Sequence, residues 1–219
     1  MNKYQRINIR VATAVSVGVL VAAIALAVAW RNLGRLPNFW PEQQATRLTL
    51  QDLDSLIGVY QQETKALPAS LADLRRVQGA EVHGVSITFE AAEDGSPLDG
   101  WGRPFTYSVD GTNYTIVSLG RDGKPGGVGL DYDLSNVPQP PKDACPTFGQ
   151  FLFNPWARNV LFTCFAGGVM AFWLSMKTIN PAALHGWAIP SLIVKLVLTI
   201  LGTLAVAIVM AVLHVPTGH

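Results

Sequence analysis

Residues Arg103 to Asp133 read "RPFTYSVDGTNYTIVSLGRDGKPGGVGLDYD". Two runs of β-forming residues, "RPFTYSV" and "NYTIVSL", flank the compact turn "DGTN", and an Asp-Gly turn between such runs predicts a β-hairpin. The hairpin leads straight into Ser118–Asp133, sixteen residues that hold five glycines and three carboxylates, Asp122, Asp131 and Asp133. A flexible linker accounts for the glycines but not for the placed acids. Calcium takes about six to eight oxygen ligands from carboxylates and backbone carbonyls. Glycines let a chain turn tightly enough to aim carbonyls at one point, and Asp122-Gly123 is a sharp-turn dipeptide. Asp131 and Asp133 are separated by one residue, so in an extended segment they point the same way. The spacing does not match an EF-hand. A solvated turn whose acids keep the domain soluble explains the same residues, so residue chemistry alone leaves both readings open.

Upstream, Thr46 to Lys65, "TRLTLQDLDSLIGVYQQETK", places Leu50, Leu53, Ile57 and Tyr60 at spacings of three and four, the apolar face of a helix. "LPASLADLRR" predicts a short second helix with Ser70 as N-cap and Leu71 and Leu74 packing inward. "HGVSITFEA" changes to period two, with Val85, Ile87 and Phe89 on one face of a half-buried strand. A helix followed by a small antiparallel sheet is an α+β arrangement. The region is long enough to bury a modest core.

Outward from that region the composition changes. Hydrophobic residues make up 49% of the 219-residue chain and charged residues only 14%, a balance that predicts a membrane protein with a soluble part. All 15 acids lie between Glu42 and Asp143, and from Arg31 to Trp156 they face 10 Lys and Arg. An acidic soluble region argues against nucleic acid as a partner, since that needs a basic face. Val11–Trp30 is an uncharged run long enough to span a bilayer as a helix. Asn159–Met176 is a shorter candidate, and Trp187–Val215 holds a third. Trp30, Trp156, Trp173 and Trp187 stand where an interfacial aromatic belt is expected. Lys3, Arg6 and Arg10 followed by an apolar run and "AVA" at Ala27–Ala29 also fit a cleaved signal, but the run is longer than signal peptides use, which favours a retained anchor. The basic tail and the loop with Lys177 place both on the inner side and the acidic region outside, although Arg31, Arg35 and Arg158 lie on that outer side.

Lys195 is the only charge inside a span. An intramembrane lysine is a functional candidate; here a stem that snorkels to the nearby inner interface is the favoured account. Gly167, Gly168 and Ala171 would let the second span approach another helix closely, although apolar helices are often rich in small residues. Cys164 lies inside an apolar run and Cys145 just outside it, so pairing would need a bend at the membrane surface and no disulfide is expected.

Read together, "SPLDGWGRPFTYSVDGTNYTIVSLGRDGKPGGVGLDYDLSN" resembles the C-terminal region of the major pseudopilin of type II secretion, the G subunit. That family's D-P-W-G-x-P-Y element reads Asp99-Gly100-Trp101-Gly102-Arg103-Pro104-Phe105 here, and its glycine–acid loop reads Ser118 to Leu134. The helix ending "LIGVYQQETKALPASLADL" is similar to the family's helix exit, so the resemblance runs from Leu48 to Asn136. It implies a pilin-like α+β fold and a calcium ion held by the side chains of Asp122, Asp131 and Asp133 and the carbonyls of Leu119 and Lys124. Tyr132 replaces a usually small residue and Val137 a frequent tryptophan. "INIRVATAVSVGVLV" has neither the family's Gly-Phe junction nor its glutamate, so processing and polymerisation do not carry over.

The resulting division is a cytoplasmic tail at 1–10, spans at 11–30, 159–176 and 187–215, a linker at 31–45, and a pseudopilin-G-like domain at 46–143. A second linker at 144–158, a loop at 177–186 and a tail at 216–219 complete it. The expected function is non-catalytic: a calcium-stabilised domain displayed on the periplasmic side of the bacterial inner membrane for contact with other membrane or envelope proteins, compatible with an oligomer. The alternative is an atypical structural subunit of a secretion filament. An enzyme or a transporter using Lys195 is disfavoured. His83, His185, His214 and His219 are scattered, acid pairs such as Asp52 and Asp54 imply no cleft, and no nucleophile, Walker or dinucleotide motif is present.

Overall fold

The structure is a computed structural model that describes residues 3–82, 84–137, 144–180 and 188–215. Trp187, the tail 216–219, most of the loop 177–186, residues 138–143 of the expected domain, and His83, His185 and His219 lie outside the described residues. In chain order the elements are α1 (Lys3–Asn32), α2 (Pro41–Thr64), β1 (Glu81–Val82), β2 (Val85–Ser86), β3 (Thr106–Asp110), β4 (Asn113–Ser118), β5 (Leu134–Ser135), α3 (Phe148–Leu152), α4 (Arg158–Thr178) and α5 (Ala188–Leu213). They form two compact units, Trp40–Gln150 and the pair of segments Met1–Phe39 and Phe151–His219.

The unit of residues 40–150 is α+β, a helix against a small antiparallel sheet. Helix α2 starts at Pro41, five residues before the expected start at Thr46, because proline's fixed φ and missing N–H suit the first helical position. It ends at Lys65, whose left-handed φ of 59° lets its N–H cap the Gln61 carbonyl. Leu50, Leu53, Ile57 and Tyr60 are all buried, joined by Leu56. The predicted second helix is a tight 3-10 turn, Leu71–Arg76, in which the Asp73 carboxylate takes the Ser70 N–H at 2.9 Å. Leu71 and Leu74 point into the same core.

Within "HGVSITFEA" only Val85–Ser86 is a strand, paired with Glu81–Val82. Beyond it the ladder stops, because Ile87 exchanges backbone hydrogen bonds with Gly79 and Ala80 instead. Ile87 is nonetheless buried and Phe89 packs on the core, so the period-two pattern reports burial rather than a long strand. The β3–β4 hairpin closes with Asp110 opposite Asn113 and pairs Thr106 with Val117. Strand β5 adds a third member by pairing Ser118 with Leu134.

The sheet is tied to α2 through Asp54, whose Oδ1 accepts from Tyr114 Oη at 2.7 Å and Asn136 Nδ2 at 3.2 Å. Burial, reinforced by that hydrogen bond, raises the Tyr114 phenol well above its ordinary value of 10.0. The unfolded chain therefore ionises this phenol first. Its contribution to stability is complete below about pH 10 and is lost as the pH climbs toward the folded-state value. Melting the protein between about pH 8 and 11 should show a midpoint that falls above pH 10, with a shallower fall for Tyr114→Phe. An equal decline in the variant would assign the alkaline loss to other groups.

Among the described residues, the second unit holds three helices long and apolar enough to cross a membrane, Tyr4–Asn32, Pro155–Thr178 and Ala188–Leu213. Adjacent glycines let α4 pack closely on both of the others, and α1 and α5 also touch each other. A Cβ at Gly168 would lie 2.7 Å from the Gly18 carbonyl of α1 and 2.8 Å from Ala22 Cβ, and one at Gly167 would lie 2.6 Å from Ala207 Cβ of α5. The close approach expected of Gly167, Gly168 and Ala171 is thus present on both faces. Helices α1 and α4 run antiparallel: the Arg10 guanidinium donates to the Met176 carbonyl, through Nε at 2.6 Å and through Nη2. This cation sits on the negative end of the α4 dipole. Lys177 lies 3.9 Å over the Trp173 ring. Lys195 is exposed on α5, about 10 Å along the helix from Ala188. Cys145 is an exposed thiol and Cys164 a buried one.

Candidate functional site

The glycine loop is mounted on a knot built around Asp99, which is 5% exposed. Asp99 Oδ1 accepts from the backbone N–H groups of Trp101 and Arg103, each at 2.9 Å, and Oδ2 accepts from Ser118 Oγ at 2.6 Å. The local sequence makes this turn. Gly102 adopts a φ of +76° while its N–H bonds back to the Asp99 carbonyl. Gly100 is pressed so closely on α2 that a Cβ would stand 2.0 Å from the Glu42 carbonyl oxygen, and its N–H donates to Thr46 Oγ1 at 2.9 Å. With its backbone so fixed, Arg103 reaches across the loop entrance. Its Nη1 and Nη2 donate to the carbonyls of Gly120 and Arg121, each at 2.6 Å.

From there the loop closes on itself. Gly120, at φ +63°, lies against the backbone of Leu130, Asp131 and Tyr132, where a Cβ would meet atoms at 2.9 Å. Arg121 N donates to the Leu130 carbonyl at 2.8 Å. Its guanidinium grips Asp131 two-pronged, Nε to Oδ1 and Nη2 to Oδ2, both at 2.9 Å. Gln150 braces the returning limb, its Nε2 donating to Val128 O and Asp131 Oδ2 and its Oε1 accepting from Leu130 N, all at 3.3 Å. From α2, Gln43 donates to the Gly129 carbonyl at 3.2 Å.

The five residues expected at a calcium site are distributed unevenly. Leu119 is half-buried at the end of β4 and Lys124 is exposed at the outer turn. Asp122 Oδ1 is turned to the Lys124 N–H at 3.1 Å, and Asp131 is held by Arg121. Asp133 Oδ2 accepts from Gly126 N at 2.9 Å, while its Oδ1 is buried with no hydrogen-bond partner. Among the described residues, no three His, Cys, Asp or Glu side chains converge closely enough to hold a metal. The oxygens nevertheless fit a calcium ion in kind. A buried carboxylate oxygen without a donor is costly unless a cation or proton donor meets it, and carboxylates with turn carbonyls are calcium's ligands. What stands against the fit is the guanidinium on Asp131.

Arg103, Gln43 and Gln150 were not expected as loop residues. Arg103 lies inside the "DGWGRPF" element, so its neighbourhood was legible. Gln43 and Gln150 carry no sequence signal, because each reaches the loop only through the tertiary fold.

Known proteins are similar to this chain in sequence. The family described as type II secretion system (T2SS), protein G, matches residues 41–137. The type II secretion system core protein G of Xanthomonas campestris pv. campestris is 30% identical over 118 residues, covering 53% of this chain and 79% of that protein. A protein of the same description from Pseudomonas aeruginosa is 45% identical over 42 residues, 18% of this chain and 30% of its own length.

Proposed function

The chain belongs to the type II secretion system protein G family, and on that premise we propose that it is a non-catalytic membrane protein which displays residues 40–150 on the periplasmic side of the bacterial inner membrane. There that unit contacts other envelope proteins of a secretion assembly. The observation that carries this reading is the antiparallel packing of α1 on α4, which brings Arg6, Arg10 and Lys177 to one end of the helix pair. Basic residues collected at one membrane face favour the cytoplasmic side. In a Cys145→Ser background, Ser96→Cys should react with a membrane-impermeant maleimide from the periplasm and Asn180→Cys only after the inner membrane is opened. Equal access from one side would overturn the topology.

Filament entry, the second reading, is disfavoured by the same packing, because the face of α1 that carries Gly18 and Ala22 is covered by α4 of the same chain.

Within the displayed unit, a calcium ion would be held by the carboxylates of Asp122, Asp131 and Asp133 with the carbonyls of Leu119 and Lys124. The ion would neutralise the acids and join the two limbs of the loop. Support comes from the unpartnered Asp133 Oδ1. Calcium at a hundred times its dissociation constant should raise the melting midpoint of the unit by about 10 °C over chelator, since ligand binding at that excess adds about 2.7 kcal/mol. Asp133→Ala should abolish the response. Superimposed melts with and without chelator would refute calcium binding.

A further inference from the structure

We propose that Arg121 is a resident cation that competes with the metal for Asp131, giving the glycine loop two closed states, one latched by a guanidinium and one by a divalent ion. The inference rests on the calcium reading above but concerns a residue that reading does not use.

The geometry of the pair is its first support. Nε and Nη2 of Arg121 meet the two oxygens of Asp131 at 2.9 Å each, the fork-to-fork arrangement in which arginine binds a carboxylate best. Gln150 Nε2 adds a further donor to Oδ2 at 3.3 Å. A carboxylate so engaged has its charge satisfied. A divalent ion arriving beside it would meet a positive guanidinium at contact range, and like charges at that distance repel.

The second support is that the loop holds its closed form without that carboxylate bridging to Asp133. Gly126 N is bound to Asp133 Oδ2, Arg121 N to the Leu130 carbonyl, and Arg103 pins the carbonyls of Gly120 and Arg121. The backbone frame therefore survives exchange of one cation for another. The third is accessibility. The Arg121 side chain is 48% exposed against 24% for Asp131, so the guanidinium can swing into water while the carboxylate stays in the loop. Asp133 Oδ1, already without a partner, is the fixed half of the metal's grip, and Asp131 is the half released by Arg121.

Two consequences follow. Calcium should bind this chain more weakly than the same loop without the arginine, and the metal-free domain should lean on Arg121 for part of its order. Calorimetric titration of calcium chloride into the chelated full chain in detergent reads the first. Arg121→Gln should bind about tenfold tighter than wild type, the scale of losing one adjacent positive charge near a protein surface. Arg121→Lys, which keeps the charge but loses the fork, should fall between. Lys124→Gln, which removes an exposed charge of the same loop that is not paired with Asp131, should alter affinity much less, which separates competition for Asp131 from a general field effect. Melts in chelator read the second: Arg121→Gln should lower the midpoint by a few degrees.

Equal calcium affinity in wild type and Arg121→Gln overturns the competition and leaves the calcium reading standing. An equal gain in Lys124→Gln overturns it too, since the arginine would then act only through its charge in the loop's field. No binding heat in either protein overturns both. Binding seen in Arg121→Gln but not in wild type is the competition in its strongest form.

Discussion

Gly100→Ala will unfold the α+β unit or nearly so. The added methyl would stand 2.0 Å from the Glu42 carbonyl oxygen, 2.8 Å from its carbon and 3.0 Å from its Cα, all of them backbone atoms in the first turn of α2. No side-chain rotation relieves such contacts, so the turn must move away from the helix. Movement would break the Gly100 N–H bond to Thr46 Oγ1, a hydroxyl that is fully buried with its residue. Overpacking against rigid backbone, together with a stranded donor, amounts to about 3–4 kcal/mol. That is a large fraction of the stability of a domain of this size and corresponds to a drop of about 15 °C or more in melting midpoint. Hydrogen exchange across residues 40–150 of the detergent-solubilised chain, compared with exchange in α4, would report the loss locally. Unchanged protection in β4 would show that the turn accommodates the methyl without leaving the helix.

Asp99→Ala is the second severe change, and its isosteric partner makes it diagnostic. Alanine removes the acceptor of the Trp101 and Arg103 N–H groups and of the Ser118 hydroxyl, leaving three donors beside a nearly buried position. Each unsatisfied buried group costs about 1–3 kcal/mol, so the total is about 3–5 kcal/mol. Asp99→Asn keeps one carbonyl oxygen for the two N–H groups, and its amide can donate to a Ser118 Oγ rotated to accept. The expected cost is then about 1 kcal/mol. Because the knot fixes the Arg103 backbone, and Arg103 holds the loop entrance, the alanine variant should also lose protection at Gly120 and Arg121 before the hairpin itself exchanges. If alanine and asparagine destabilise equally, the negative charge rather than the hydrogen-bond geometry is what the knot requires.

The elements written in strong local signals were legible in the sequence. The Asp-Gly hairpin, the three-and-four spacing of Leu50, Leu53 and Ile57, and the three long apolar runs each became the element expected. The misjudged parts have physical reasons. Pro41 was taken for a linker residue when its ring suits a helix start. Strand β5 is only two residues long and owes its existence to the returning loop, so no periodicity could announce it. At the site, the glycines and acids marked the loop, but which atoms close it depended on side chains from elsewhere. Gln43 and Gln150 arrive from α2 and α3. No role was assigned to Arg121 from the sequence, yet its fork takes the carboxylate assigned to the metal.

The hydrogen bond from Arg10 to Met176 joins residues 166 apart in the chain. A ribosome adding about 5–20 residues per second delivers the first partner on the order of ten seconds or more before the second. Throughout that interval the nascent anchor presents its glycine and alanine seam to whatever helices share the bilayer, and only synthesis of α4 supplies its own mate. A premature stop anywhere between α1 and Arg158 would make that provisional exposure permanent, because the helix that covers the seam is made only after the whole α+β unit.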